Sequence, residues 1–96
     1  MPDAGILREA AGSRGRYVIR QNGAEAELTY SILSPSRIIA DHTGVPDALR
    51  GSGIGRRLVE RLVEDARAEG VKIVPLCPYV NAERRRHPDW ADVFDV

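Results

Sequence analysis

The period of the hydrophobic pattern changes in the middle of this chain. Up to Thr43 the pattern is that of strands, and from Ile54 to Ala66 it is that of a helix. Arg16 to Gln21 (RYVIRQ) reads as a strand, and Asn22-Gly23 then supplies the dipeptide favoured in tight hairpin turns, because both residues tolerate positive φ. Ala26 to Leu33 (AELTYSIL) is the returning strand. Ser34-Pro35-Ser36 makes a second turn, since proline fixes φ and cannot donate to a ladder. Arg37 to Thr43 (RIIADHT) is the third strand of an antiparallel meander. Farther on, Ile54, Leu58, Leu62 and Ala66 recur at four-residue spacing, Val59 and Val63 widen the stripe, and charged residues fill the opposite face. The spacing predicts an amphipathic helix lying on the sheet and ended by Gly70 in a left-handed cap. Val71 to Leu76 (VKIVPL) is a buried strand, with Pro75 confining it to an edge or an end. Strand, helix and strand in succession predict a right-handed crossover and parallel pairing with Arg37–Thr43. Pro78 to Arg86 and Pro88 to Phe94 read as short helices, each opened by proline. The fold class is α/β (α+β).

Composition narrows this picture. Ninety-six residues make one domain with a modest core. Residues 1–14 are rich in Ala, Gly and charge and are expected to be a flexible tail, leaving 15–96 as the domain. They lack the basic start and apolar stretch of a secretory signal. No apolar run is long enough to span a bilayer. The formal net charge is zero, so nothing global argues for nucleic acid or an anionic membrane as partner. A single cysteine, Cys77, forms no internal disulfide and points to the reducing cytoplasm. One cysteine and two histidines at irregular spacing do not make a zinc set. A monomer is expected.

The candidate chemistry lies between the third strand and the amphipathic helix. Arg50-Gly51-Ser52-Gly53-Ile54-Gly55-Arg56 puts an arginine and three alternating glycines at a helix start, where backbone N–H groups lack intrahelical partners and the dipole is positive. Such a site binds anions, phosphate above all. It is not a P-loop, because no Gly-Lys-Ser/Thr follows, and its glycine spacing is not the dinucleotide fingerprint. His42 and Cys77 fall at the C-terminal ends of strands expected to be parallel neighbours, the edge on which open α/β sheets place their sites. A histidine there takes a thiol's proton or lowers its pKa, and Cys77 is expected to be partly exposed and reactive. An isolated cysteine is also, in many proteins, simply a small buried hydrophobe. Tyr79, two residues after Cys77, is a candidate proton donor. The run Arg84-Arg85-Arg86 is expected to be a solvated face. The aromatics do not interleave with basic residues as an RNA-stacking platform would.

Together these residues resemble a known superfamily. Arg50-x-x-Gly53-x-Gly55 resembles the acetyl-CoA pyrophosphate signature of the GNAT N-acetyltransferases. More narrowly, His42-Thr43-Gly44-Val45-Pro46, Pro75-Leu76-Cys77-Pro78-Tyr79-Val80 and His87-Pro88-Asp89-Trp90-Ala91-Asp92 are similar, in that order, to motifs of a family of very small GNAT-like proteins. The resemblance covers Arg16 to Phe94. It implies a curtailed GNAT fold whose strands splay after Thr43 and before Cys77, with the pantetheine arm of the cofactor in the splay. It implies that acetyl-CoA or CoA is held by Thr43, Val45, Arg50, Gly51, Ser52, Gly53, Ile54, Gly55, Arg56 and Tyr79, with backbone along Ala40–Thr43 pairing with pantetheine. It places the catalytic pair at His42 and Cys77. His42 would serve as base on the acceptor or on Cys77, and Cys77 as acyl-accepting nucleophile or as positioner of the thioester. The segment Asn81 to Arg86 is more polar and arginine-rich than the family pattern. The implied function is an N-acetyltransferase acting on an amine acceptor that the resemblance does not name. A CoA-binding module without turnover, and a thiol-based redox or adaptor protein, are the other readings; the redox reading leaves the glycine loop unexplained.

Overall fold

The computed structural model describes residues 5–96. One five-stranded sheet has the order β1-β2-β3-β4-β5, with β1 Ile6–Ala11, β2 Arg14–Gln21, β3 Ala24–Ser34, β4 Arg37–Gly44 and β5 Lys72–Pro75. The first four strands are antiparallel neighbours, and β5 joins β4 in parallel after the crossover helix α1, Ile54–Glu69. A second helix, α2, covers Pro78–Arg85, and a 3-10 segment covers Pro88–Val93 where a short helix was expected.

The turns form for the reasons their residues give. Asn22 and Gly23 both take positive φ, at 54° and 76°, as a two-residue hairpin requires. Gly70 closes α1 at φ 71°, its N–H donating to the carbonyl of Ala66. Pro75 is the last residue of β5, an edge strand, where a missing donor costs no ladder bond.

The meander has four strands, not three. The flexible tail expected over 1–14 is corrected from Ile6 onward: β1 pairs with β2 from Ile6↔Ile19 to Ala11↔Arg14. Residues 1–4 lie outside the described residues. What holds β1 is side-chain chemistry on the helix side of the sheet. Arg8 pairs with Asp65 and Glu69 of α1 and donates to the Tyr30 hydroxyl at 3.1 Å.

The apolar stripe of α1 lies over that same side, packing Leu58, Leu62 and Ala66 against Tyr17, Leu28 and Tyr30. Beyond the last strand, Trp90, Val93 and Phe94 bury themselves in the same core. Phe94 bridges to Ile73, and the Asp95 N–H donates to the Ile73 carbonyl at 2.8 Å, so the chain end covers the free edge of β5. The other side of the sheet carries no helix. It is faced by charges: Arg16 reaches Glu9, Glu25 and Glu27, and Arg20 reaches Glu9 and Glu25.

Candidate functional site

The site is built where β4 and β5 part. Their parallel pairing ends at Ala40↔Pro75, and the Cys77 N–H makes a last bond of 2.8 Å to the Ala40 carbonyl. From Asp41 to Gly44, β4 is paired with β3 alone, while the chain at Cys77 turns into α2 with Pro78 in its first turn. The splay therefore opens after Ala40, three residues earlier than the resemblance implied.

A β-bulge at the same place decides which side chains face it. Tyr30 pairs with Ala40 but Thr29 pairs with His42, so Asp41 is the extra residue. A single inserted residue exchanges the faces of everything after it. Thr43, opposite the buried Leu28, turns to the helix side, and His42, opposite Thr29, turns to the open side. Consequently Thr43, not His42, meets the cysteine: its Oγ1 lies 3.4 Å from the Cys77 Sγ. Among the described residues the His42 imidazole makes no hydrogen bond, to Cys77 or to any other group. The expected contact between His42 and Cys77 is thus corrected, as is the expected exposure of Cys77. The thiol is 2% accessible, buried in the core cluster that also holds Val80 and Ile73.

The glycine loop keeps the form its sequence predicts. Pro46 leads into a 3-10 turn, Asp47–Leu49, whose Leu49 is buried and anchors the loop, and the Ser52 hydroxyl donates back to the Leu49 carbonyl. Gly51 and Gly53 take φ of 80° and 78°, a region closed to most side chains. Helix α1 then begins at Ile54, and its first intrahelical bond from outside the helix is Arg57 N–H to the Gly53 carbonyl at 3.1 Å. The N–H groups of Ile54, Gly55 and Arg56 have no protein acceptor among the described residues, and no side chain caps them. The first turn holds no acidic residue; it holds Arg56 and Arg57, the wrong sign for the positive end of a helix dipole. An anion seated there relieves both conditions. Arg50, 72% exposed, reaches the Val45 carbonyl and Asp47 from the loop rim.

Tyr79 closes the loop from α2. A β-carbon at Gly55 would stand 2.6 Å from the Tyr79 hydroxyl oxygen, so glycine is needed there for the ring to lie against the helix start. Burial, and after it the nearby Glu83 carboxylate, push the Tyr79 pKa up, which keeps the hydroxyl a donor.

Glu83 was not legible as a site residue. It is the one buried charged residue among those described, at 2% accessibility. Oε2 accepts from Arg86 at 2.9 Å, while Oε1 has no hydrogen bond and lies 3.5 Å from Arg56 Nε and 3.9 Å from His87 Nε2. The only sequence signal was the spacing of Glu83 to Arg86 and His87, which puts three groups on one side of a short helix. The arginine run, expected to be a solvated face, is divided: Arg86 serves Glu83, and Arg84 donates to Asn81 at 2.8 Å.

The sequence profile of the GCN5-related N-acetyl-transferase family matches residues 16–93. Protein NATD1 of Xenopus tropicalis is 29% identical over 89 residues, covering 91% of this chain and 82% of that protein. Human Protein NATD1 is 30% identical over 77 residues, 78% of this chain and 68% of its own length. The NMR solution structure of a GCN5-like protein from Staphylococcus aureus superposes with a TM-score of 0.70 at 29% identity, covering 97% of this chain and 91% of that one.

Proposed function

Because this chain belongs to the GCN5-related N-acetyltransferase family, we propose that it transfers an acetyl group from acetyl-CoA to an amine. One observation carries the reading: the unpartnered N–H groups of Ile54, Gly55 and Arg56 open beside the gap between β4 and β5. A ligand with a diphosphate at one end and an extended amide-bearing arm at the other fits both. The N–H groups would hold the diphosphate, with Arg50, Arg56 and the Tyr79 hydroxyl donating around it. The stretch Asp41–Gly44, free of β5, would receive the arm in strand fashion.

When bound, acetyl-CoA supplies the acetyl group as a thioester. The chain's own part is to position the acceptor and to take a proton from it. His42 is placed for the second task, exposed on the open side of the sheet with its ring nitrogens unengaged. Cys77 has a different role in this reading. Buried and hydrogen-bonded to Thr43, it would shape the end of the splay, with the acetyl group passing from the thioester sulfur straight to the amine nitrogen and CoA leaving as its thiolate.

Two measurements test this. Calorimetric titration with CoA should show binding in the wild type and a loss of about tenfold in Arg50→Ala, the equivalent of one charge-assisted hydrogen bond. Arg50 is an exposed loop residue, so the variant keeps the fold. Equal affinities would remove Arg50 from the phosphate site, and no heat in either protein would sink the cofactor assignment. Intact-protein mass spectrometry after incubation with acetyl-CoA alone should show no added acetyl group. A gain of one acetyl on Cys77 would replace direct transfer with a covalent route.

A further inference from the structure

Resting on the acetyltransferase reading, we infer that the acceptor is a zwitterionic amine, one carrying a carboxylate or similar anion, bound in the groove on the open side of the sheet. The groove has a volume of about 700 Å³ and runs from the β1–β2 hairpin to the splay, where Asp41, His42 and Leu76 line it. It therefore reaches the place where β5 leaves β4 and where an incoming nitrogen must arrive.

The charges in its wall divide into engaged and unengaged. Arg16 is committed to Glu9, Glu25 and Glu27, and Glu9 to Arg16 and Arg20, so these groups are engaged with one another. Asp41 is different. Its Oδ2 accepts from the Ser31 hydroxyl at 2.6 Å, and no cation among the described residues pairs with it. Asp41 faces the groove at the mouth of the splay, and the bulge puts the following residue, His42, on the same open side. Arg14, on β2, is exposed, and its guanidinium makes no ion pair or hydrogen bond among the described residues. One free carboxylate beside the candidate base and one free guanidinium at a distance are complementary to an ammonium and an anion on one molecule. A plain alkylamine would satisfy Asp41 and leave Arg14 unused. A polyamine would bring a second cation toward Arg14. Between the two charges lies β3, whose Ser31 stands opposite Arg14 and donates to Asp41, so the two groups are one strand apart and suit a short spacer.

The test uses the full chain and probes of known structure: amino acids with one to five methylenes between amine and carboxylate, the matching alkylamines, and the matching amino amides. Backbone amide shifts are followed by NMR with and without CoA, and CoA release from acetyl-CoA is followed in parallel. At least one amino acid should shift the amides around Arg14, Asp41 and His42, and bind about fivefold or more tighter than its alkylamine and amide partners. In Arg14→Gln that preference should collapse toward unity; in Asp41→Asn the shifts near His42 should weaken. Equal binding of all three probe classes, a preference that survives Arg14→Gln, or shifts confined to another surface would each overturn the inference. Groove shifts in a protein that neither binds CoA nor releases it from acetyl-CoA would uphold the zwitterion site while sinking the transfer reading. Because the wild-type preference is read without any variant, a misfolded Arg14→Gln would not rescue the idea.

Discussion

Glu83 is a carboxylate taken almost wholly out of water, with one oxygen hydrogen-bonded and the other only facing Arg56 and His87. Its partners Arg56 and Arg86 remain more than half exposed. A buried charge with imperfect pairing contributes little net stability, and replacing it with an apolar side chain of similar volume is commonly neutral. Glu83→Met is therefore expected to unfold in urea within about 1 kcal/mol of wild type, since the arginines it releases stay solvated. The same change frees Arg56 from the loop and should weaken CoA binding about threefold or more. A stability loss beyond about 3 kcal/mol would mean that the cluster holds the fold together and does not merely orient Arg56. At this scale the sequence was a partial guide. The loop residues Arg50 to Arg56 could be read because glycines at positive φ and a helix start have local signatures. The partnership of Cys77 could not. A one-residue bulge at Asp41 exchanges His42 for Thr43, and the bulge is a property of how β4 pairs with β3, which leaves no mark in RIIADHT itself.

At the scale of elements, β1 shows where patterning fails and what replaces it. Its helix-side positions include Ile6 and Arg8, so the apolar alternation that marks a strand is interrupted by a cation. That cation is the attachment: Arg8 pairs with Asp65 and Glu69 and lies over the rings of Tyr17 and Tyr30, 5.4 and 5.6 Å from their centroids. Arg8→Ala should cost about 1–2 kcal/mol through lost packing and cation–π contact, and hydrogen exchange should quicken first in β1 amides. Uniform exchange across β1 to β4 would show that β1 is held by its ladder alone. Tyr17 belongs to the same junction. Its hydroxyl donates to Asp65 at 2.8 Å, and burial first, then that bond, raise its pKa far above the usual tyrosine value of 10. In the unfolded chain the phenol ionises near pH 10, whereas in the folded chain it stays protonated. Between those points the native state binds more protons, so stability falls as pH rises. Urea midpoints should decline above about pH 10, and Tyr17→Phe should decline less steeply. Parallel slopes would remove Tyr17 as the cause. The other elements were legible because each has its own punctuation: Asn22-Gly23, Ser34-Pro35 and Gly70 mark boundaries with local backbone chemistry.

For the whole molecule the decisive feature is asymmetry. One side of the sheet is sealed by α1 and the chain end, the other carries an exposed net of ion pairs, and the two communicate through the gap left where β5 departs from β4. The crossover that creates the gap followed from the strand–helix–strand order; the groove on the open side did not, because it depends on how far β1 extends the sheet. A chain of this length buries a limited core, so a ligand that ties the α1 start to the free stretch of β4 adds a substantial share of its stability. At a hundredfold excess over its Kd, a ligand that binds only the folded state contributes about 2.7 kcal/mol. In a domain of about 100 residues each kcal/mol moves the melting midpoint by about 4–8 °C. At that excess CoA is therefore expected to raise Tm by roughly 10–20 °C in scanning calorimetry, and the rise should track the logarithm of its concentration. Adenosine, which lacks the diphosphate and the arm, should give a small shift. A truncated pantetheine without the nucleotide should do the same, because it reaches the gap alone, while adenosine supplies neither the diphosphate nor the arm. If CoA leaves Tm unchanged up to roughly millimolar concentration, the loop and the splay do not act as one cofactor site. If adenosine alone matches CoA, neither the anion site at the helix start nor the gap between β4 and β5 contributes to the binding.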